Sequence, residues 1–240
     1  MSRLFALLLV VVSALSHSRV LAADRPVVPS IVEQGRRPLV AACGDCHLIN
    51  GRGRPGTSTL AGLPAEYIAH QIADFQRRFR NIRDPKIRSM VAVAAAITDS
   101  EITAASEFYA SVTPKPWLRV IEIQERGKSR GGDIREVPDG ASGYVAYVPA
   151  GAVSRGEQLV VAGASGRTVR CANCHGDDLR GTSSTPGIAG RSPSYLARQL
   201  NDMRRGDRHG SGSDHMMGTI ARLTDDDVVA IAAYAASRTP

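Results

Sequence analysis

The chain has 240 residues, 43% of them hydrophobic but only 5% aromatic, with 30 Lys and Arg against 23 Asp and Glu, a formal charge of +7 and four cysteines. The positive balance comes without any nucleic-acid-binding motif, so it does not point to nucleic acid as a partner. So few aromatic rings leave a small domain short of core surface, a deficit usually met by a cofactor or cross-link.

Residues 1–23 read as an export signal: Arg3 is the charged start, Leu4 to Val12 an unbroken apolar stretch, and Val20-Leu21-Ala22 the small residues for cleavage. The apolar stretch is shorter than the about 20 residues that span a bilayer. An exported, periplasmic protein is expected, and retention of the segment would give loose membrane association. Cleavage removes Arg3 and Arg19 and lowers the charge to +5.

A short helix is expected over Gly35–Ala42, followed by Cys43-Gly-Asp-Cys46-His47. The run returns as Cys171-Ala-Asn-Cys174-His175, preceded by a helix expected over Gly156–Val161, and the two runs use all four cysteines. A lone Cys-x-x-Cys is shared by zinc knuckles, redox dithiols and disulfides. A zinc site needs four ligands close together, whereas these pairs lie 128 residues apart, and a redox dithiol needs no histidine after it. Cys-x-x-Cys-His repeated twice is the attachment pattern of c-type haem: two thiols one helical turn apart for thioether bonds, then an imidazole for the iron. Two covalently attached haem c groups are expected, and their four propionates would bring the holoprotein close to neutral.

The copies align at an offset of 128, with Leu60-Ala61-Gly62 on Ile188-Ala189-Gly190, and Tyr67, Gln71, Asp74 and Arg77 on Tyr195, Gln199, Asp202 and Arg205. A helix is expected over Pro64–Phe79 and again over Pro193–Arg204, with proline near its start. The offset then falls to 126, where Thr98-Asp99 meets Thr224-Asp225 and Pro114 meets Pro240. Thr98-Asp-Ser-Glu101 is a capping box and Thr224-Asp-Asp-Asp227 its acidic counterpart, each opening an apolar-striped helix. The organisation predicted is all-α: 1–23 signal, 24–114 first domain, 115–151 interdomain segment, 152–240 second domain. Within 115–151, Trp117 to Ile123 and Tyr144 to Val148 lean to β-strand, so two or three short strands are expected, with a plain linker as the alternative.

His47 and His175 supply one axial ligand each. Met90 is the one methionine between Met1 and Met203, and at the offset of 126 its partner is Met216. Met90 and Met216 are the predicted sixth ligands, with Met217 and His215 competing at the second iron. Met203 aligns with Phe75 and reads as core. Thioether ligation closes the iron to substrate and raises its potential. With no cysteine left over for thiolate ligation, an electron carrier is expected rather than an enzyme, and no small-molecule substrate. Tyr67, Gln71, Tyr195 and Gln199 recur on one helix face, where propionate contact and plain packing compete. Pro55 and Pro186 are the candidate carbonyls for orienting the histidines. The basic run Arg77, Arg78, Arg80, Arg83, Lys86 and Arg88 reads as a solvated loop or a steering patch.

On these motifs, with Tyr67/Gln71 and Tyr195/Gln199, Met90…Ile97-Thr-Asp, Met216…Leu223-Thr-Asp and the final Ile231-Ala-Ala-Tyr234, the chain resembles the cytochrome c4 group of dihaem class I cytochromes over about 35–114 and 153–240. The resemblance implies two cytochrome c domains with His/Met-ligated haems, carrying periplasmic electrons from a dehydrogenase or quinol-oxidising complex to an oxidase. The inserted segment departs from that group's short connector and raises the alternative of a subunit docked on an exported dehydrogenase.

Overall fold

The computed structural model describes residues 27–80, 82–124, 134–140, 143–163 and 166–240; the expected signal over 1–23 lies outside them. Ten helices and three strands are described. Residues 30–111 carry α1 (Ser30–Glu33), α2 (Cys43–His47), α3 (Ala65–Gln76), α4 (Pro85–Ala96) and α5 (Asp99–Ser111). After β1 (Leu118–Ile123), β2 (Arg135–Pro138) and β3 (Tyr144–Pro149), the second half carries α6 (Ala152–Ala162), α7 (Ala172–His175), α8 (Pro193–Arg204), α9 (Ser213–Ile220) and α10 (Asp225–Ser237). No helix among the described residues is long and apolar enough to cross a membrane.

Each half closes around its own apolar cluster. The first gathers Val32, Val40, Ile68, Phe108 and Tyr109. The second gathers Leu159, Val160, Leu196, Met203, Val228 and Ile231. Met203 is buried core, as its alignment with Phe75 predicts.

The helix expected over Gly35–Ala42 is not there. A single turn, α1, precedes it, and Gly35 sits in the left-handed region at φ 70° with its N–H on Ser30 O at 2.9 Å. That is a glycine stop after a helix, not a start. A Cβ at Gly35 would meet Val40 O at 2.5 Å, because residues 36–40 double back as a tight β-bridged turn. In the second half α6 runs for three turns before its own glycine stop at Gly163.

The inserted segment is a sheet of order β1-β3-β2, with β1 parallel to β3 and β2 antiparallel to it. Val148 packs with Ala152 and Ala233, and Val120, Ile134 and Val153 close round them, so the sheet sits on the second half. Glu136 of β2 accepts from Ser192 Oγ at 2.7 Å and from the Ser194 N–H at 3.0 Å, which pins the sheet to the start of α8.

Both capping boxes form. Thr98 and Glu101 exchange hydrogen bonds at the start of α5, as do Thr224 and Asp227 at the start of α10. Arg36 bonds Glu101 and, with Thr98, holds that carboxyl down to about 2. A carboxylate depressed in the folded state stabilises above its ordinary value of 4.5 and loses that contribution as pH falls towards 2. Melting temperatures followed by circular dichroism should therefore fall across this window, and Glu101→Gln should flatten the acid limb. An unchanged limb in the variant would remove Glu101 as its source.

Candidate haem sites

Each Cys-x-x-Cys-His run forms a short helix, α2 or α7, so one turn places both thiols of a pair on one side. The loops that follow repeat bond for bond. Gly53 N–H donates to His47 O at 2.9 Å and Gly181 N–H to His175 O at 2.8 Å. Leu60 and Ala61 donate to Gly51 O, and Ile188 and Ala189 to Leu179 O. Gly62 and Gly190 donate to Tyr109 O and Ala235 O, tying each loop to the last helix of its half.

The returning loop lays a carbonyl against each imidazole. His47 Nδ1–H donates to Ser58 O at 2.9 Å, and His175 Nδ1–H to Pro186 O at 2.8 Å. Pro186 is the carbonyl expected from the sequence, but its counterpart is Ser58, not Pro55. Ser58 lies 128 residues before Pro186, in register with the repeat. A backbone acceptor needs no particular side chain, so following proline misled where following the offset would have succeeded.

With Nδ1 carrying the proton, Nε2 keeps its lone pair. Burial pushes both histidines below their ordinary value, so both rings are neutral at pH 7. Burial also pushes the Cys43 and Cys171 thiols up to about 11, the wrong direction for a reactive redox dithiol. No disulfide joins the four cysteines, and Cys46 and Cys174 are exposed.

A cavity of about 780 Å³ opens beside α7. Cys171, Cys174, His175 and Met216 line it, with Leu196, Ile220 and Ile231 as apolar wall. His215 also lines it; Met216 and Met217 both pack against the core cluster, but Met217 is not part of the lining. Met216 lies on α9 and the half-buried Met90 on α4, short helices just ahead of the capped ones. Asp84 caps α4 by accepting from Lys86 N–H at 2.8 Å, with Pro85 at its first position.

The face bearing Tyr67, Gln71, Tyr195 and Gln199 is the seam between the halves. Arg208 donates to Gln199 at 2.7 Å, Gln71 at 2.9 Å and Tyr67 at 3.2 Å. Arg80, read from the sequence as part of a solvated basic run, is buried here: it pairs with Asp74 at 3.4 Å and donates to His209 O at 3.0 Å. Arg77, Arg78, Lys86 and Arg88 of that run are exposed. Arg191, not singled out by the sequence, is also buried, and donates to Gly187 O and across the seam to Thr59 O. Its signal was in the repeat, because position 191 aligns with Leu63.

Two thiols one turn apart, an imidazole with a fixed tautomer and free Nε2, and a largely apolar cavity beside them are the donor set of an iron porphyrin held by thioethers. A family model for cytochrome c matches residues 153–238. Over 208 residues the chain is 33% identical to a thiosulfate dehydrogenase electron acceptor of Stutzerimonas stutzeri (strain A1501), covering 85% of this chain and 82% of that one. It is 25% identical to a cytochrome c4 of Pseudomonas aeruginosa over 81% of this chain and 82% of the relative. Among solved structures, the thiosulfate dehydrogenase TsdBA of Marichromatium purpuratum superposes with a TM-score of 0.65 at 28% identity, over 87% of this chain but only 39% of that larger one. Reduced cytochrome c4 from Pseudomonas stutzeri shares the fold at a TM-score of 0.59 and 20% identity, over 82% of this chain and 93% of that one. With the paired motifs, the doubled hydrogen-bond pattern and these likenesses in agreement, the chain belongs to the dihaem class I c-type cytochromes of the cytochrome c4 kind, electron-transfer proteins with covalently bound haem c.

Proposed function

We propose that this cytochrome accepts electrons from an exported dehydrogenase of the thiosulfate-oxidising kind and passes them to a further protein acceptor. The observation that carries the reading is the likeness to a thiosulfate dehydrogenase electron acceptor along most of both chains. Residues 24–114 and 152–240 act as the two cytochrome c domains, and residues 1–23 direct the chain to the periplasm.

Bound haem supplies one-electron ferric–ferrous chemistry at each site. Cys43 and Cys46 hold one group and Cys171 and Cys174 the other. His47 and His175 offer Nε2 to the irons, and the Ser58 and Pro186 carbonyls keep those rings in one tautomer and orientation. Met90 and Met216 would supply a thioether to each group; for the second, the cavity favours Met216 over Met217 because Met216 lines it. A nitrogen–thioether pair leaves no open position for substrate, which suits a carrier.

A second reading, a subunit held on its dehydrogenase, is favoured by one observation: the TsdBA chain that resembles this protein is much longer than it. Co-purification separates the two, since a docked subunit arrives with a larger partner and a carrier arrives alone. The test of the main reading is direct. Purified protein should carry two haems per chain by pyridine haemochrome assay, and both should be reduced by a thiosulfate dehydrogenase given thiosulfate. Full haem content with no reduction would exclude this donor.

A further inference from the structure

The loop that clamps His47 is held from the other half of the molecule. Ser58 offers its carbonyl to His47, and residues on either side of it bond across the seam. Gly56 N–H donates to Ser192 Oγ at 3.1 Å. Arg198 donates to Gly56 O at 2.8 Å, and Arg191 donates to Thr59 O. Ser192 is 0% exposed, and its own proton is committed to Glu136 of β2 at 2.7 Å. Its oxygen is thereby turned to accept, from Gly56 and from the Tyr195 N–H at 3.1 Å. The inserted sheet thus orients the hydroxyl that holds the first loop.

The internal repeat shows that this hold runs one way. Residues 55–59 correspond to residues 183–187. The second loop is closed from within its own half: Thr182 N–H donates to Thr185 O at 2.9 Å, and Thr182 Oγ1 accepts from Thr185 N–H at 3.1 Å. Arg191, also of that half, adds a bond to Gly187 O. Among the described residues no hydrogen bond from the first half reaches 183–187. The reason lies in the sequence, because the first half carries Leu63, Pro64 and His70 where the second has Arg191, Ser192 and Arg198. Pro64 precedes α3 without a side-chain cap, and His70 faces Glu66 of its own helix at 3.9 Å.

We propose that Ser192 and Arg198 are positioning residues for the first haem. By fixing the loop around Ser58 from across the seam, they set the ring plane of His47 and the strength of its Nδ1–H bond. His175 is set by its own half. The inference rests on the reading of Cys43–His47 as a haem site. An Nδ1–H donated to a well-placed carbonyl raises the basicity of the Nε2 lone pair and fixes the orientation of the ring. A stronger nitrogen donor favours ferric over ferrous iron, so a loosened clamp raises the midpoint of its haem.

The test is an NMR redox titration of the full-length holoprotein. The haem methyl signals of each site, assigned through their contacts with Cys43 or Cys171, report histidine orientation in the oxidised form and give each midpoint separately. Ser192→Gly removes the acceptor without changing charge and leaves a well-tolerated residue before α8. It should speed amide exchange at Gly56, shift the methyl pattern of the first haem and raise its midpoint, with the second haem unmoved. Arg198→Met, which keeps an apolar stem beside Tyr195, should shift the same pattern. A merely local role for Ser192 would instead disturb the second cavity, which α8 lines through Tyr195 and Leu196, and move the second haem. A first-haem pattern unchanged in either variant, a midpoint that does not rise in Ser192→Gly, or a second-haem pattern that moves in its place overturns the proposal. Wild-type protein with no methyl signals from a haem on Cys43 defeats the haem site itself, and the proposal with it.

Discussion

Met216→Ala will cut the far-red sulfur-to-iron charge-transfer band of the ferric protein to about half, because one of two thioether ligands is lost. The midpoint of the second haem will fall with it, by a sizeable part of the about 0.8 V range that axial ligands govern. Met90→Ala will remove the other half, and the double variant the whole band. Met217→Ala is the discriminating control. Met217 lies outside the cavity lining that includes Met216, so its loss should leave both band and midpoints in place. A band that survives Met216→Ala and disappears with Met217→Ala would reassign the ligand. A low-spin spectrum without that band already in the wild type would point to His215.

Gly156→Val will detach α6 from α10. A Cβ at Gly156 would lie 2.0 Å from Ala230 O and 2.7 Å from Tyr234 Cβ, both on the buried face of α10. Backbone in a packed helix has nowhere to retreat, so the helices must separate at their point of closest approach. Overpacking of this kind costs about 1–3 kcal/mol where side chains can shift, and the upper end or more is expected here. For a unit of this size about 3 kcal/mol corresponds to a loss of more than about 10 °C in melting temperature. Gly218→Ala on α9 is the matched control: nothing lies within 4 Å of the added carbon, and a helical glycine replaced by alanine should gain about 0.5–1 kcal/mol. Equal melting temperatures for Gly156→Val and wild type would mean that α6 does not cross α10 as described.

What was legible in the sequence was chemistry tied to adjacency. Cys43–His47 and Cys171–His175 announce themselves because thioether attachment demands fixed spacing, and both capping boxes because a side chain must reach its own backbone three residues on. The β-branched and aromatic residues of 117–123 and 144–148 gave the strands, although not their order or their seat on α10. The histidine clamps were obscured because backbone carbonyls leave no mark in side-chain identity; only the offset linking Ser58 to Pro186 encodes them. Arg80, Arg191 and Arg208 were read as solvent-facing or passed over because charge normally seeks water, and their burial arises from one half closing on the other. The supposed helix over Gly35–Ala42 failed on one residue, since Gly35 marks where a turn of helix ends.

Arg80 and Arg208, equivalent residues of the two copies, pair with one another as an antiparallel bridge. At that point the halves meet through equivalent residues, as the subunits of a twofold dimer do on their axis. Between separate polypeptides such a contact would dissolve on dilution. Carried on one strand it becomes intramolecular, with an effective concentration that the surrounding medium does not alter. The capacity to hold two electrons side by side is thus as secure in a sparsely populated compartment as in a crowded one.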